Sequence, residues 1–174
     1  MRWTTGGLQG GVAILCPGPA RVEARRELVP GCAVEATITG LPGVPAVTYV
    51  SLYLPPGRQA EVITELDRIH PPAAPFVIGG DVNLDLDDPR DLEEERNGQA
   101  LRALLQRWGA RIVGGGQPTH QDRHGARRID FLAVELHAAA AWDTTCHWHS
   151  RLSIHVVFHG RCQPGGPAAL GPAT

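Results

Sequence analysis

The chain has 174 residues, 43% hydrophobic and 20% charged, which is enough to bury one core and too little for several. Its net charge of -2 excludes a protein that coats nucleic acid through bulk electrostatics, although a local basic rim on a few phosphates needs no net positive charge. No apolar run reaches the roughly 20 residues that cross a bilayer, and Met1-Arg2-Trp3-Thr4-Thr5-Gly6-Gly7 lacks a secretory apolar segment, so an intracellular setting, nucleus or cytoplasm, is expected.

In chain order, Gly11 to Cys16 is an apolar run closed by Pro17-Gly18-Pro19 and reads as a strand. Cys32 to Thr39 alternates, and Val47 to Leu54 is rich in β-branched and aromatic residues until Pro55-Pro56-Gly57 stops it. The period then changes. Val62, Ile63, Leu66 and Ile69 predict a helix over Gln59 to His70. Phe76 to Gly80 reads as a buried strand, Asp85 to Glu95 as an acidic surface loop, and Leu101, Leu104, Leu105 and Trp108 as the face of a second helix. Ile129 to Val134, Trp142 to Trp148 and Ile154 to Phe158 predict three more strands. Residues 163–174 are mostly Pro, Gly and Ala with little to bury, which predicts a disordered tail over 161–174. Strands that outnumber irregularly spaced helices predict an α+β, layered α/β fold. Cys16, Cys32, Cys146 and Cys162 form no Cys-x-x-Cys pair, so buried free thiols are expected.

Three segments carry candidate chemistry. In Phe76-Val77-Ile78-Gly79-Gly80-Asp81-Val82-Asn83, period-two geometry sets Asp81 and Asn83 on one side of a strand end. A carboxylate and a carboxamide there can hold a water and steady a phosphate oxygen, but the same pair suits a plain Asx turn. Asp130 sits among Ile129, Phe131 and Leu132, where a carboxylate needs a partner: a metal, a histidine, or structurally Arg127 or Arg128. His155 in Ser153 to Phe158 reads as a core histidine unless Asp130 fixes its tautomer.

Taken in order, these segments resemble the endonuclease/exonuclease/phosphatase superfamily. Gly10 to Leu15 is similar to its glycine-led strand, and Ser51-Leu52-Tyr53-Leu54-Pro55-Pro56 to its Tyr-x-Pro strand end. Gly79-Gly80-Asp81-Val82-Asn83 resembles Gly-Asp-Phe-Asn, Pro118-Thr119 with Arg128-Ile129-Asp130-Phe131 resembles the Pro-Thr and Arg-Ile-Asp-Tyr elements, and Ser153-Ile154-His155 resembles Ser-Asp-His. The match spans about Gly10 to Phe158 and is most similar to the endonuclease domains of non-LTR retrotransposons.

The resemblance implies a four-layer αββα sandwich of the deoxyribonuclease-like type, incomplete here: a lead over 1–9, a partial domain over 10–160, and the first strands and helix lacking. It implies Mg²⁺-dependent phosphodiester hydrolysis, with nucleic acid as partner, DNA ahead of RNA. Asp81 would orient or deprotonate the attacking water, Asn83 would contact the scissile phosphate, and Tyr53 would bond a phosphate oxygen. Asp130 would pair with His155, and Thr119, Arg127 and Arg128 would meet substrate.

Two departures set limits. Ile154 stands where the family places a metal-site Asp, and no Glu occurs among residues 1–9, where the principal metal ligand would be sought. Asp81 and Asp130 remain the nearest candidates for a metal, Mg²⁺ binding is expected to be weak, and an uncovered sheet edge is expected to promote self-association. A catalytically inactive remnant or interaction module is therefore a competing reading. A third is zinc held by Cys146, His147, His149, His155, His159 and Cys162, whose spacing matches no standard finger. Arg123, Arg127 and Arg128 around His120 and His124 form either a basic lip or solvated loop charge, and a chain whose 16 basic residues are all Arg cannot choose by residue type.

Overall fold

The computed structural model describes residues 11–16, 18–40, 45–73, 75–114, 116–123, 125–136, 142–147 and 157–162. The expectations for Gly10, for the Ser153-Ile154-His155 segment, for His124 and His149, and for the tail from residue 163 lie outside these residues.

Six strands form one mixed sheet in the order β1-β2-β3-β4-β8-β5: β1 Arg21–Val29, β2 Ala33–Thr39, β3 Val47–Tyr53, β4 Phe76–Asp81, β5 Ala110–Val113 and β8 Asp130–Glu135. β3 and β4 are parallel, and the other neighbouring pairs are antiparallel. A parallel pair needs a crossover, supplied by helix α1, Gln59–Asp67. Helix α2, Leu92–Arg107, follows β4. Two antiparallel ribbons complete the described residues: β6 His120–Asp122 with β7 Gly125–Arg127, and β9 Trp142–His147 with β10 Val157–Cys162.

Both helices pack on the same face of the sheet. Val62, Ile63 and Leu66 of α1 and Leu101, Leu104 and Leu105 of α2 join Val50, Leu52, Phe76, Ile78, Phe131 and Ala133 in the main core. Each of the larger of these side chains, removed from water, contributes about 1.5–3 kcal/mol. The alternate residues of the same strands build a smaller cluster on the other face, where Val47, Val77 and Val134 pack with Tyr49, Val113 and Leu132. Apolar residues on both faces identify the sheet as a middle layer. This is the layered α/β fold expected.

Two expectations are corrected. Residues 11–16 form no strand, and Leu15 is 90% exposed. An apolar run becomes a strand only beside a neighbour that offers its ladder, and the edge next to β2 is taken by Arg21–Val29 instead. That edge strand carries exposed Arg21, Glu23, Arg25, Arg26 and Glu27, and its register shifts twice; charge and bulges both blunt edge-to-edge pairing. The segment from Asp85 to Glu95 is not simply a solvated acidic loop. Asp91 caps α2 by accepting a bond from the Glu94 amide, and Asp85 and Glu94 are buried, at 7% and 6% exposure.

Cys32 is a buried free thiol and Cys16 a half-buried one. The β9–β10 register sets Cys146 opposite Phe158, Cys162 opposite Trp142 and His159 opposite Thr145. Among the described residues no helix is long and apolar enough to cross a membrane.

Candidate active site

Register brings three of the sequence-predicted residues side by side. Tyr53 ends β3 opposite Asp81, which ends β4, and Asp81 in turn lies opposite Asp130, the first residue of β8. Alternation puts all three on the face away from the helices, the face of Tyr49, Val77 and Leu132. Tyr53 and Asp130 are separated by the whole of α1, β4 and α2 in sequence, yet they flank Asp81 across one row.

The row is closed by backbone bonds beyond the ladders. Leu54 donates to the Asp81 carbonyl and Val82 to that of Ile129, both at 2.9 Å. Close approach of β3 and β4 depends on Gly80, because a Cβ there would stand 1.7 Å from the Leu52 carbonyl oxygen. Past the strand end the chain reverses. Asp81 Oδ1 accepts from the Asn83 amide at 2.9 Å, and Asn83 takes the left-handed conformation at φ 51°, a region that Asn tolerates better than most residues. The Asn83 Nδ2 donates to the Leu54 carbonyl at 3.0 Å. The Asx turn and the strand-end site are thus one structure, not alternatives.

Burial, then the Asp81 carboxylate and Cys32, push the Tyr53 phenol above its ordinary value. The hydroxyl therefore stays protonated well past neutrality and is a donor, the form that can bond a phosphate oxygen.

Thr119, Arg127 and Arg128 behave differently from the sequence expectation. Thr119 is 1% exposed, and its hydroxyl accepts from the amides of Ile129 and Asp130 at 3.1 and 2.9 Å. It is buried, and it holds the backbone that carries Asp130. Arg127 pairs with the buried Glu94, and Arg128 pairs with Asp87 and donates to the Gly114 carbonyl. Both guanidinium groups are thus engaged by partners within the chain. Isosteric Thr119→Val would take the hydroxyl acceptor from one buried and one part-buried amide. It is expected to cost about 1–3 kcal/mol, read as a lower denaturation midpoint at unchanged slope.

Asp85 and Glu94 are the residues that sequence reasoning missed. Asp85 accepts from the amides of Asp87, Asp88 and Arg128, at 3.2, 3.1 and 3.0 Å. Burial raises the Glu94 carboxyl, but bonds from the Arg90 and Asp85 amides and from the Arg127 guanidinium outweigh it and hold the group below its ordinary range. The spacing of Asp91 and Glu94 is that of a helix start and was a usable signal. The inward turn of Glu94 was not.

Residues 2–167 match the sequence model of the Endonuclease/Exonuclease/phosphatase family. The fold is similar to the endonuclease domain of TRAS1, a telomere-specific non-LTR retrotransposon, with a TM-score of 0.68 and 20% identity over 83% of this chain and 67% of that one. It is similar to the 3'-5' exonuclease NExo from Neisseria meningitidis, with a TM-score of 0.56 and 20% identity over 82% and 72% of the two chains. The AP endonuclease LMAP from Leishmania major gives 0.54 and 14% over 74% and 53%. At these identities the likeness is one of fold, and the chain spans between 53% and 72% of these neighbours' lengths. No curated protein matches it in sequence.

Proposed function

Because the chain belongs to the endonuclease/exonuclease/phosphatase family, we propose that the row of Tyr53, Asp81 and Asp130 serves hydrolysis of phosphodiester bonds in nucleic acid, DNA ahead of RNA. The observation that carries this reading is the register, which gathers a phenol and two carboxylates at one strand end from distant parts of the sequence. The DNA preference draws on the similar structures, one of a telomere-specific retrotransposon and one of NExo bound to a DNA hairpin.

Each residue has work suited to its chemistry. The Asp81 carboxylate orients an attacking water and takes its proton. The protonated Tyr53 donates to a phosphate oxygen as charge builds there. Asn83, fixed by the turn to Asp81 and by its bond to Leu54, stands beside the same group. Asp130 is assigned the role of fixing His155, a residue outside those described.

Mg²⁺, which the family implies, would supply Lewis-acid stabilisation of the phosphate. Among the described residues no group of three or more His, Cys, Asp or Glu side chains could hold a metal ion. Asp81 and Asp130 alone fall short of the oxygen-rich shell that Mg²⁺ demands. The described donors therefore do not fit the ion unaided, and with Ile154 at the expected metal-site Asp the second reading is a catalytically inactive member that keeps the fold.

Incubation of the purified chain with supercoiled plasmid and with a duplex carrying an abasic analogue, with Mg²⁺ or with chelator, separates the two. Slow Mg²⁺-dependent nicking above the level of an Asp81→Ala control is expected. Identical traces for the chain and the control would leave the inactive reading standing.

A further inference from the structure

Two stretches that are far apart in sequence carry the acting carboxylates, and one buried side chain touches the framework of both. Asp81 and Asn83 lead into the loop that ends at α2. Asp130 follows the β6–β7 ribbon. Glu94, in the first turn of α2 and 6% exposed, accepts at Oε2 from the Arg90 amide at 2.9 Å and at Oε1 both from the Asp85 amide at 2.7 Å and from the Arg127 guanidinium. The Arg127 carbonyl accepts from the Thr119 amide at 2.8 Å.

From there the bonds run directly to the site. Asp85 Oδ2 holds the Arg128 amide at 3.0 Å, and Thr119 Oγ1 holds those of Ile129 and Asp130. Three successive amides approaching the first residue of β8 are therefore set by side chains that Glu94 braces, directly at Asp85 and through Arg127 at Thr119. A buried carboxylate is costly to desolvate, and apolar packing would join two loops as firmly. What directional, charge-assisted bonds add is position, since each fixes an atom to a few tenths of an ångström.

We propose that Glu94 is a positioning residue which, through Arg127, Asp85 and Thr119, sets Asp130 against Asp81 for the reaction at the strand ends. This rests on the reading of those carboxylates as the acting pair. A merely structural Glu94 would lower stability everywhere and leave the site of the folded molecule unchanged.

The test compares the full chain with Glu94→Gln, which keeps the shape and removes the charge, below the melting transition of both. Carboxyl ¹³C resonances of Asp81 and Asp130 and the exchange of individual amides are followed by NMR. The Asp130 carboxyl resonance is expected to move, and the Ile129 and Asp130 amides to lose protection about tenfold, while β2 and β3 keep theirs. An unmoved Asp130 resonance, or one common factor of lost protection across the sheet, would overturn the proposal. If Glu94→Gln does not fold, Arg127→Lys, which keeps the cation but loses the planar fork, is read by the same two signals and judged in the same way.

Nicking of supercoiled plasmid with Mg²⁺ supplies the second arm. A fall of about 10- to 100-fold in kcat with KM unchanged is expected, the loss that follows from slight misplacement of a reacting group. A rise in KM alone would also count against positioning. If the unsubstituted chain shows no nicking at all, the proposed hydrolysis fails, and the NMR signals still decide the role of Glu94.

Discussion

Gly80→Ala is expected to be among the most damaging single substitutions in this chain, costing at least about 4 kcal/mol, at the severe end of measured point mutations. The added carbon would lie 1.7 Å from the Leu52 carbonyl oxygen and 2.6 Å from its carbon. Both atoms belong to backbone, so no side-chain rotation relieves the clash. β3 and β4 would have to separate, and with them the pairing of Tyr53 with Asp81. The neighbouring Gly79 is the internal control. A Cβ there would press on the Leu132 Cδ1 atom at 3.2 Å, a flexible group that can give way, and would meet the Phe131 carbonyl oxygen at an ordinary 3.6 Å, so Gly79→Ala should cost about 1–3 kcal/mol. Urea denaturation of the two variants beside the parent chain reads the contrast. Equal midpoints for Gly79→Ala and Gly80→Ala would show that the strands do not need their close approach.

Turnover should depend on Asp81 more than on any other described side chain. Removal of a general base reduces rate by about 10²–10⁴-fold, and Asp81→Ala is expected to fall in that range. Alanine also removes the acceptor that holds the Asn83 amide, so a loss of rate in this variant mixes chemistry with turn geometry. Asp81→Asn separates them, because its amide oxygen can still close the turn while its charge is gone. Single-turnover cleavage of the abasic duplex, with protein in excess, measures both. Equal and severe loss in the two variants assigns the rate to the carboxylate. Near-parental cleavage by Asp81→Asn would reduce Asp81 to a turn former and remove the base from the proposed mechanism.

Different parts of this fold were legible to different degrees, for physical reasons. β4 stood out because it is buried on both faces, so its sequence is a continuous apolar run ended by two glycines. α1 was legible from the 3.6-residue spacing of Val62, Ile63 and Leu66. β1 was not, since an edge strand exposed along most of its length has no burial to impose alternation. The order of the site motifs could be read, but their register could not, because pairing of Tyr53, Asp81 and Asp130 is decided by strand neighbours and not by local pattern. The acidic stretch misled for a similar reason. Charge normally means solvent, and what buries Asp85 and Glu94 are bonds to Arg128 and Arg127, 43 and 33 residues further along.

The position of β5 has a kinetic consequence. It precedes β8 in the chain but sits outside it, at the end of the sheet, with β8 as its sheet partner. As the polypeptide leaves the ribosome, Ala110–Val113 must wait for Asp130–Glu135 before it can join the sheet. The first four strands can zip in order, but β8 must then enter beside β4 and recruit β5. Loop closure over such separations is slow, so the Asp81–Asp130 pairing should be a late event in folding. A nascent chain stalled before residue 130 would display the bare edge of β4 to its surroundings.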